Sequence, residues 1–497
     1  MRWSELARAA GLPPPAPGLG RAEVGQVTHD SRGVVPGTVF VAIRGQRRDG
    51  HDFVGQALAA GAVGAVVTEP RPEIPAAVQL QVDDTRAALA RLAAALNRNP
   101  SWEVPVVGVT GTDGKTTTAT MVQAALNRSL GLAASLTTVD FRLGTEVEPN
   151  LSRQTTLETT EVQARLRSLV DRGCRAVALE ATSHGLALDR LAQVRFAGAV
   201  YTSITHEHLD FHGTWDAYFE AKARLLDRAV TDGGFAVLNL DDQRAHPRLR
   251  PRAGTRVLEY SAGGDPAAQL TATEVRPLED GLSFRALTPA GSARVRLRLL
   301  GRWNVANALA ALAAGLQLDQ PLASLVAGLE ALPAVPGRME RVDLGQSFSV
   351  VVDYAHTPDA LRLALQEMRA ATPGRLWVVF GSAGERDLAK RAQMGRIAAQ
   401  LADRVVVTSE DPRSEDPEVS IEAIHAAAVE AGARPGENLL RDPDRARAIR
   451  LAVGGARPGD AVLLAGKGHE RSILGGDGAR PWDERGEAEA ALRERFQ

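Results

Sequence analysis

The sequence predicts an α/β protein of three domains: a small N-terminal α/β domain, a central parallel sheet of phosphate-loop type, and a C-terminal Rossmann-like domain. Three observations predict it. The chain has 497 residues, enough for about three domains. Short apolar runs alternate with helix-compatible stretches, as in parallel sheets covered on both faces. Proline-bearing stretches at residues 97–105 and 332–337 interrupt the alternation, so the domains are expected at 1–102, 103–333 and 334–497.

The elements follow in order. Residues 13–20, rich in Pro and Gly, read as a loop. Residues 38–43 and 62–67 read as strands, 45–51 as a polar loop, 57–60 as helix, and 85–96 as a helix with regularly spaced Leu and Ala. An apolar run at 104–109 reads as a buried strand. It runs into Gly111-Thr112-Asp113-Gly114-Lys115-Thr116-Thr117-Thr118, and a helix is expected at 119–127. Strand, glycine turn, Lys-Thr and helix make a phosphate-binding arrangement. Backbone N–H groups and the helix N-terminus hold phosphate oxygens, Lys115 adds a point charge, and Thr116 offers a hydroxyl to Mg²⁺. The usual spacing would place a glycine at Val109; here the glycines are Gly108, Gly111 and Gly114. An ordinary glycine turn is the plain alternative, but few turns need Gly-Lys-Thr at a helix start.

Strands expected at 176–179, 197–204 and 235–238 each end in a polar cluster. These are Glu180-Ala181-Thr182-Ser183-His184, Thr205-His206-Glu207-His208-Leu209-Asp210 and Asn239-Leu240-Asp241-Asp242. Ligands of such sheets bind beyond the carboxyl ends of the strands. Residues 285–287 and 294–299 alternate as a small hairpin, and 304–316 form an alanine-rich helix. Strands at 349–352, 376–380, 404–407 and 461–465 repeat the logic. They end in Asp353-Tyr354-Ala355-His356, in the stretch from Gly381 to Asp387, in Thr408 to Arg413, and in Gly466-Lys467-Gly468-His469-Glu470. A second ligand edge is expected there.

Composition narrows the function. Acidic and basic residues nearly cancel, 60 against 58, so no nucleic-acid partner is expected. The single cysteine, Cys174, excludes an internal disulfide framework and fits a reducing compartment. Residues 1–12 lack the apolar core of a signal peptide, and no apolar run approaches about 18 residues. A soluble, cytoplasmic monomer without membrane insertion is expected.

Glu180 and His208 each follow a buried strand in the phosphate-loop domain and are candidate Mg²⁺ ligands. A surface carboxylate and a structural histidine are the plain alternatives. Lys222, in a helix-like segment at 218–228, reads on its own as a solvated lysine. Arg386, Asp387, Lys390 and Arg391 read as a charged helix start, or, after a strand and a glycine turn, as an anion site.

The phosphate loop resembles that of the Mur ligases, the amide-forming enzymes of peptidoglycan precursor synthesis. So do Glu180 to Leu186, His208-Leu209-Asp210-Phe211-His212-Gly213, Asn304 to Asn307, Asp353 to Pro358, Glu385-Arg386-Asp387 and Gly466 to Glu470. The resemblance spans all three regions. It points to the branch that adds the third, diamino residue to UDP-N-acetylmuramoyl-L-alanyl-D-glutamate. It implies an ATP-dependent ligase working through an acyl phosphate, with domain closure gating the reaction. Gly111, Thr112, Asp113, Gly114, Lys115, Thr116 and Thr117 would hold ATP, with Asn304, Arg341, Asp353 and His356 near the nucleotide. Thr116, Glu180, His208 and a carbamylated Lys222 would ligate Mg²⁺. Lys115, Lys222 and His208 would be the catalytic set. Ser31 would contact the UDP group; Thr155, Thr156, Ser183 and Arg190 would contact the muramoyl-dipeptide. Arg386, Asp411, Arg413, Gly466 and Glu470 would surround the incoming diamino acid: diaminopimelate, lysine or ornithine.

The chain departs from the family pattern at several positions. Asp113 stands where Asn is commoner, Leu157 where Pro follows the Thr pair, Glu207 for Asp, and Ser382-Ala383 for a Cys-Gly pair. Glu410-Asp411-Pro412-Arg413 replaces the Asp-Asn-Pro-Arg of typical diaminopimelate adders, which opens the choice of amino acid. Arg413 could clamp a distal carboxylate, which favours diaminopimelate. Asp411 would attract a bare ammonium, or would cancel Arg413 by pairing with it; both shift preference towards lysine or ornithine. A folate polyglutamate ligase, another Mur ligase or a nucleotide-dependent switch are the rival readings. The Asp411-Pro412-Arg413 and Gly466 to Glu470 stretches count against the first two. The lack of an evident guanine-reading Asn-Lys-x-Asp motif counts against a GTPase switch.

Overall fold

The computed structural model describes residues 1–45, 48–152, 154–205, 207–254, 256–278, 280–385 and 388–496. The chain forms two compact units. One takes Met1–Ala272, Ala286–Ala293 and Ala306–Gly328; the other takes Thr273–Arg285, Arg294–Val305 and Leu329–Gln497. Among the described residues no helix is long and apolar enough to cross a membrane.

The first unit opens with four parallel strands in chain order, Gln26–Thr28, Thr38–Val41, Ala62–Val67 and Gln79–Gln81. The helix Thr85–Leu96 follows, started by Asp84, whose carboxylate accepts from the N–H groups of Arg86 and Ala87. The larger sheet places Val106–Thr110 at its centre. Gly198–Tyr201, Phe235–Asn239 and Val257–Ser261 lie to one side, Ala176–Glu180 and Ala133–Leu136 to the other, all parallel. These strands are continuous apolar runs because helices cover both faces. The chain leaves Val106–Thr110 and returns on both flanks. The carboxyl ends of Ala176–Glu180 and Gly198–Tyr201 therefore border the phosphate loop, at a topological switch point.

Three boundaries differ from expectation for physical reasons. The helix after the loop begins at Lys115 and runs to Leu130. Its threonines are weak helix formers, yet they are buried in the first turn, and Thr120 Oγ1 donates to Thr116 O at 2.9 Å. The strand expected at 197–204 stops at Tyr201, because Thr202 turns its hydroxyl onto the carbonyls of Thr110 and Asp113. Antiparallel strands Asp140–Leu143 and Glu146–Pro149 edge the sheet unannounced, the outer one fully exposed. The expected hairpin is present and longer, as Gly281–Thr288 and Gly291–Leu297.

The second unit holds a six-stranded sheet in the order Glu340–Arg341, Ser349–Asp353, Ala461–Ala465, Leu376–Phe380, Arg404–Val407, Leu439–Arg441; only the first pair is antiparallel. Alternate residues feed two cores. Val351, Val378, Phe380, Val405 and Leu463 face one; Val350, Val352, Val379, Val406 and Leu464 face the other. The last parallel strand to form in sequence, Ala461–Ala465, inserts between the first two. A second switch point results at its carboxyl end.

Candidate active site

Gly111 and Gly114 are glycines by necessity. A Cβ on Gly111 would sit 1.8 Å from Thr202 Oγ1. Gly114, at φ +80°, caps the helix with a left-handed backbone, and its Cβ would meet Asn307 Oδ1 at 2.5 Å. Asn307 also accepts from Thr118 Oγ1 at 3.1 Å. Lys115 Nζ arches over the loop to Thr112 O at 2.6 Å. Thr112 Oγ1 meets the buried Tyr218 hydroxyl at 2.9 Å. The loop thus presents its backbone N–H groups and an ammonium at a helix N-terminus, a geometry suited to phosphate.

Glu180 is buried where its strand ends. Its Oε2 accepts from Thr116 Oγ1 at 3.0 Å, from Thr138 N at 2.9 Å and from Thr138 Oγ1 at 3.0 Å. Thr116, 64 residues away in sequence, and Glu180 therefore form one oxygen pair. Lys222 is 1 % exposed, on the helix Trp215–Thr231. Its Nζ donates to Gly111 O at 2.6 Å and lies 4.6 Å from the centre of the Tyr218 ring. Burial, then the charge of Lys115, holds its pKa well below the usual lysine value. His208 takes a left-handed backbone at φ +55°. Its ring centroid lies 4.6 Å from that of His184, and His212 packs on the same cluster. Burial, reinforced by His208, brings the His184 pKa down to about 4; burial also lowers His208 and His212. His206 lies outside the described residues.

The predicted muramoyl-dipeptide residues join this cluster. Thr155 Oγ1 lies 2.8 Å from Thr138 Oγ1. Thr156 Oγ1 bonds Glu180 O and Thr182 Oγ1, and Arg190 reaches Thr156 O at 3.0 Å and Glu158 at 2.7 Å. Ser183 Oγ and Arg190 Nε are buried without a hydrogen-bond partner. Ser31 stands apart, in a 3₁₀ turn of the N-terminal sheet. Asp30 caps that turn, and its bond to the Arg32 guanidinium draws its pKa down to about 2.

In the second unit, Asp353 ends its strand half-buried, accepting from Met339 N and Ala355 N; burial raises its pKa. Arg341 lies on the neighbouring strand, in register with Val351. His356 Nδ1 is 2.8 Å from Tyr354 O, and Asn304 Nδ2 donates to Leu300 O at 2.6 Å. The two loops assigned to the amino acid are tied together. Lys467, fully buried, donates to Asp411 Oδ1 at 2.7 Å and to Glu470, and Leu474 N donates to Asp411 Oδ1 at 2.9 Å. Asp411 is thus neutralised by Lys467 and not by Arg413. Gly466 donates to Asp353 O at 3.1 Å. Ser382 Oγ, Thr408 Oγ1, Glu410 Oε2, Arg413 Nε and His469 Nδ1 are buried at these strand ends without hydrogen-bond partners. These five polar atoms gather at one sheet edge.

Arg386 and Asp387 lie outside the described residues. Arg391 corrects its anion-site reading: it is 2 % exposed, and its guanidinium is taken by Glu415 at 2.6 Å and by Ala383 O. Lys390 donates to His356 O. Thr138, Tyr218, Asn307, Lys467 and Glu410 had no role assigned from the sequence, although Asn307, Lys467 and Glu410 stood within quoted motifs.

The sequence matches the Mur ligase family, catalytic domain over residues 23–96, the Mur ligase middle domain over 109–315, and the Mur ligase, glutamate ligase domain over 337–468. It is 46% identical to a UDP-N-acetylmuramyl-tripeptide synthetase of Roseiflexus sp., across 98% of this chain and 97% of that protein. It is 45% identical to the protein of the same name from Deinococcus radiodurans, across 100% of both. A solved structure of a UDP-N-acetylmuramoyl-L-alanyl-D-glutamate–2,6-diaminopimelate ligase superposes with a TM-score of 0.70 at 30% identity, over 100% of both chains. The chain belongs to the Mur ligase family.

Proposed function

We propose that this chain is the ATP-dependent ligase that joins a diamino acid to the D-glutamate of UDP-N-acetylmuramoyl-L-alanyl-D-glutamate, in peptidoglycan precursor synthesis. The observation that carries this reading is the convergence of Lys115, Thr116, Glu180 and Lys222 on one phosphate loop, in a chain with full-length tripeptide-synthetase relatives. ATP and a UDP-sugar are cytoplasmic metabolites, so the reaction belongs in the cytoplasm.

A carboxylate resists attack by an amine until one oxygen becomes a leaving group. Phosphoryl transfer from ATP to the D-glutamyl side-chain carboxylate supplies that group as an acyl phosphate. The amine then attacks the carbonyl carbon, and phosphate departs with the C–O electron pair. Two anions meet in the first step, so Lys115 and the loop N–H groups stabilise the charge that builds there. Thr116 Oγ1 and Glu180 Oε2 are hard oxygen donors side by side, which suits Mg²⁺. With His208 and a Lys222 carbamate they would hold the ion, which supplies charge neutralisation at the phosphates. The orphaned Ser183 Oγ and Arg190 Nε fit the polar groups of the muramoyl-dipeptide. Phosphate release tests the reading. It should require MgATP, the nucleotide-sugar dipeptide and a diamino acid together; equal release without the dipeptide would sink it.

The diamino acid is proposed to be a simple basic one, lysine or ornithine, used at least as well as diaminopimelate. Glu410, Asp411 and Glu470 stand together at this edge, and Lys467 pairs with two of them. Glu410 Oε2 is buried and unpartnered, an acceptor fitted to an ammonium. Arg413, unpaired with Asp411, keeps diaminopimelate in play. Competition at equal concentrations decides; exclusive use of meso-diaminopimelate would refute the proposal. Asp411→Asn removes one acid and leaves Lys467 with Glu470. Selectivity should move about tenfold towards diaminopimelate, and no movement would mean that this charge does not set the choice.

A further inference from the structure

Arg445 and Glu484 form a fully buried ion pair, both side chains at 0% exposure. Glu484 opens the last helix, Glu484–Phe496, and accepts Arg445 Nε at 2.9 and 3.1 Å and Trp482 Nε1 at 2.7 Å. Nη2 also donates to Glu484 Oε1 at 2.5 Å, and the two Nη atoms reach two main-chain carbonyls as well. Nη2 donates to Ala465 O at 2.8 Å, and Nη1 to Ser409 O at 3.3 Å. Ala465 is the last residue of its strand, and Ser409 lies just past Arg404–Val407. From these two points the chain enters the loops that carry Asp411 and Arg413, and Gly466, Lys467 and Glu470.

The two strands are not neighbours, because Leu376–Phe380 runs between them. Two strand spacings amount to about 9.5 Å, so no backbone ladder bond can join the loops where they leave the sheet. A planar guanidinium takes one carbonyl from each strand end on its two Nη atoms, in a fixed geometry that a rotatable ammonium lacks. Burying such a pair is a poor route to stability, since apolar residues of like volume serve as well or better. Its distinctive property is the fixed geometry it imposes on Ser409 O and Ala465 O.

We propose that the Arg445–Glu484 pair is a positioning device for the amino-acid pocket, and that it makes the C-terminal helix part of that site. The device sets the separation of the two loops, and the Lys467–Asp411 bond closes them further out. This inference rests on the reading that those loops take the diamino acid.

The test replaces the pair by apolar residues, Arg445→Met with Glu484→Leu, and compares steady-state constants for the three substrates. The variant should fold but melt below the parent, because Ser409 O, Ala465 O and Trp482 Nε1 lose their partners. KM for the diamino acid should rise roughly 10- to 100-fold through loss of preorganisation, while KM for ATP and for the nucleotide-sugar dipeptide stays within about twofold. An unchanged diamino-acid KM, or an equal rise in all three, overturns the proposal. If the double variant does not fold, Glu484→Gln decides by the same comparison, since it keeps the shape and removes the charge. Arg413→Ala in the otherwise intact chain separates the underlying reading: an unaffected diamino-acid KM there places the pocket elsewhere and removes the reading, and this proposal with it. An Arg413→Ala effect without an effect of the pair overturns the positioning role alone.

Discussion

Lys115→Ala is expected to lower substrate-dependent phosphate release by about 10³-fold, the scale of losing one preorganised charge at a phosphoryl-transfer site. The loss should fall on kcat and on KM for ATP, and leave the diamino-acid KM near its starting value. The fold should survive. The Lys115 side chain is half-buried, and its bond in the structure is to the carbonyl of Thr112 three residues back. Removing it costs about 1 kcal/mol of stability, too little to unfold a unit with so large a buried core. Lys115→Arg should not restore the rate, because the wider guanidinium cannot enter a loop in which Gly111 already meets Thr202 without room for a methyl group. Near-normal release by the alanine variant would place ATP elsewhere on the protein.

What the sequence made legible was local. The turn and helix start at Gly111 to Thr118 could be read because loop, lysine and helix start lie within eight residues. The parallel strands could be read because burial on both faces demands unbroken apolar runs, as in Val106–Thr110 and Leu376–Phe380. The edge strand Glu146–Pro149 was hidden, since a short exposed edge needs no apolar pattern and tolerates Glu146, Glu148 and Pro149; its inner neighbour Asp140–Leu143 was hidden because it buries the polar Asp140 beside Phe141. Bonds across long sequence gaps were hidden too. Tyr218 supports Thr112 from 106 residues away, and Lys467 meets Asp411 across 56. Residue type and spacing announce neither. Arg391 misled for the mirror reason: a charged residue beside a glycine turn suits an anion until its own burial against Glu415 is seen.

The position of Lys222 shows how far a resemblance and a geometry reinforce each other. On sequence alone it was a helix lysine with an ordinary solvated reading. In the fold it is the opposite: fully buried, against Gly111 O and the Tyr218 ring, on the wall of the phosphate loop. A bare ammonium there is poorly solvated and shares the site with Lys115. It also brings a positive charge to the loop where the proposed Mg²⁺ would bind. Conversion to a carbamate replaces that charge with a negative one and adds two oxygens of the kind Mg²⁺ prefers.

Lys222→Ala is therefore expected to reduce ligation by at least about 10³-fold, with added bicarbonate giving no recovery because the nucleophilic amine is gone. Short carboxylic acids should recover part of the rate by placing two oxygens in the space the carbamate leaves. Lys222→Arg separates charge from chemistry, since it keeps a cation that cannot form the adduct, and it should remain as inactive as the alanine variant. A direct readout is the carbonyl signal of the adduct in the ¹³C spectrum of parent protein equilibrated with ¹³C-bicarbonate, absent from Lys222→Ala. Folding can be monitored independently by circular dichroism: the alanine variant loses the aliphatic stem from the helix Trp215–Thr231 but also sheds a buried charge, and these act in opposite directions on stability. Full activity in Lys222→Ala, or substantial activity in Lys222→Arg, would remove the carbamate from the proposed mechanism.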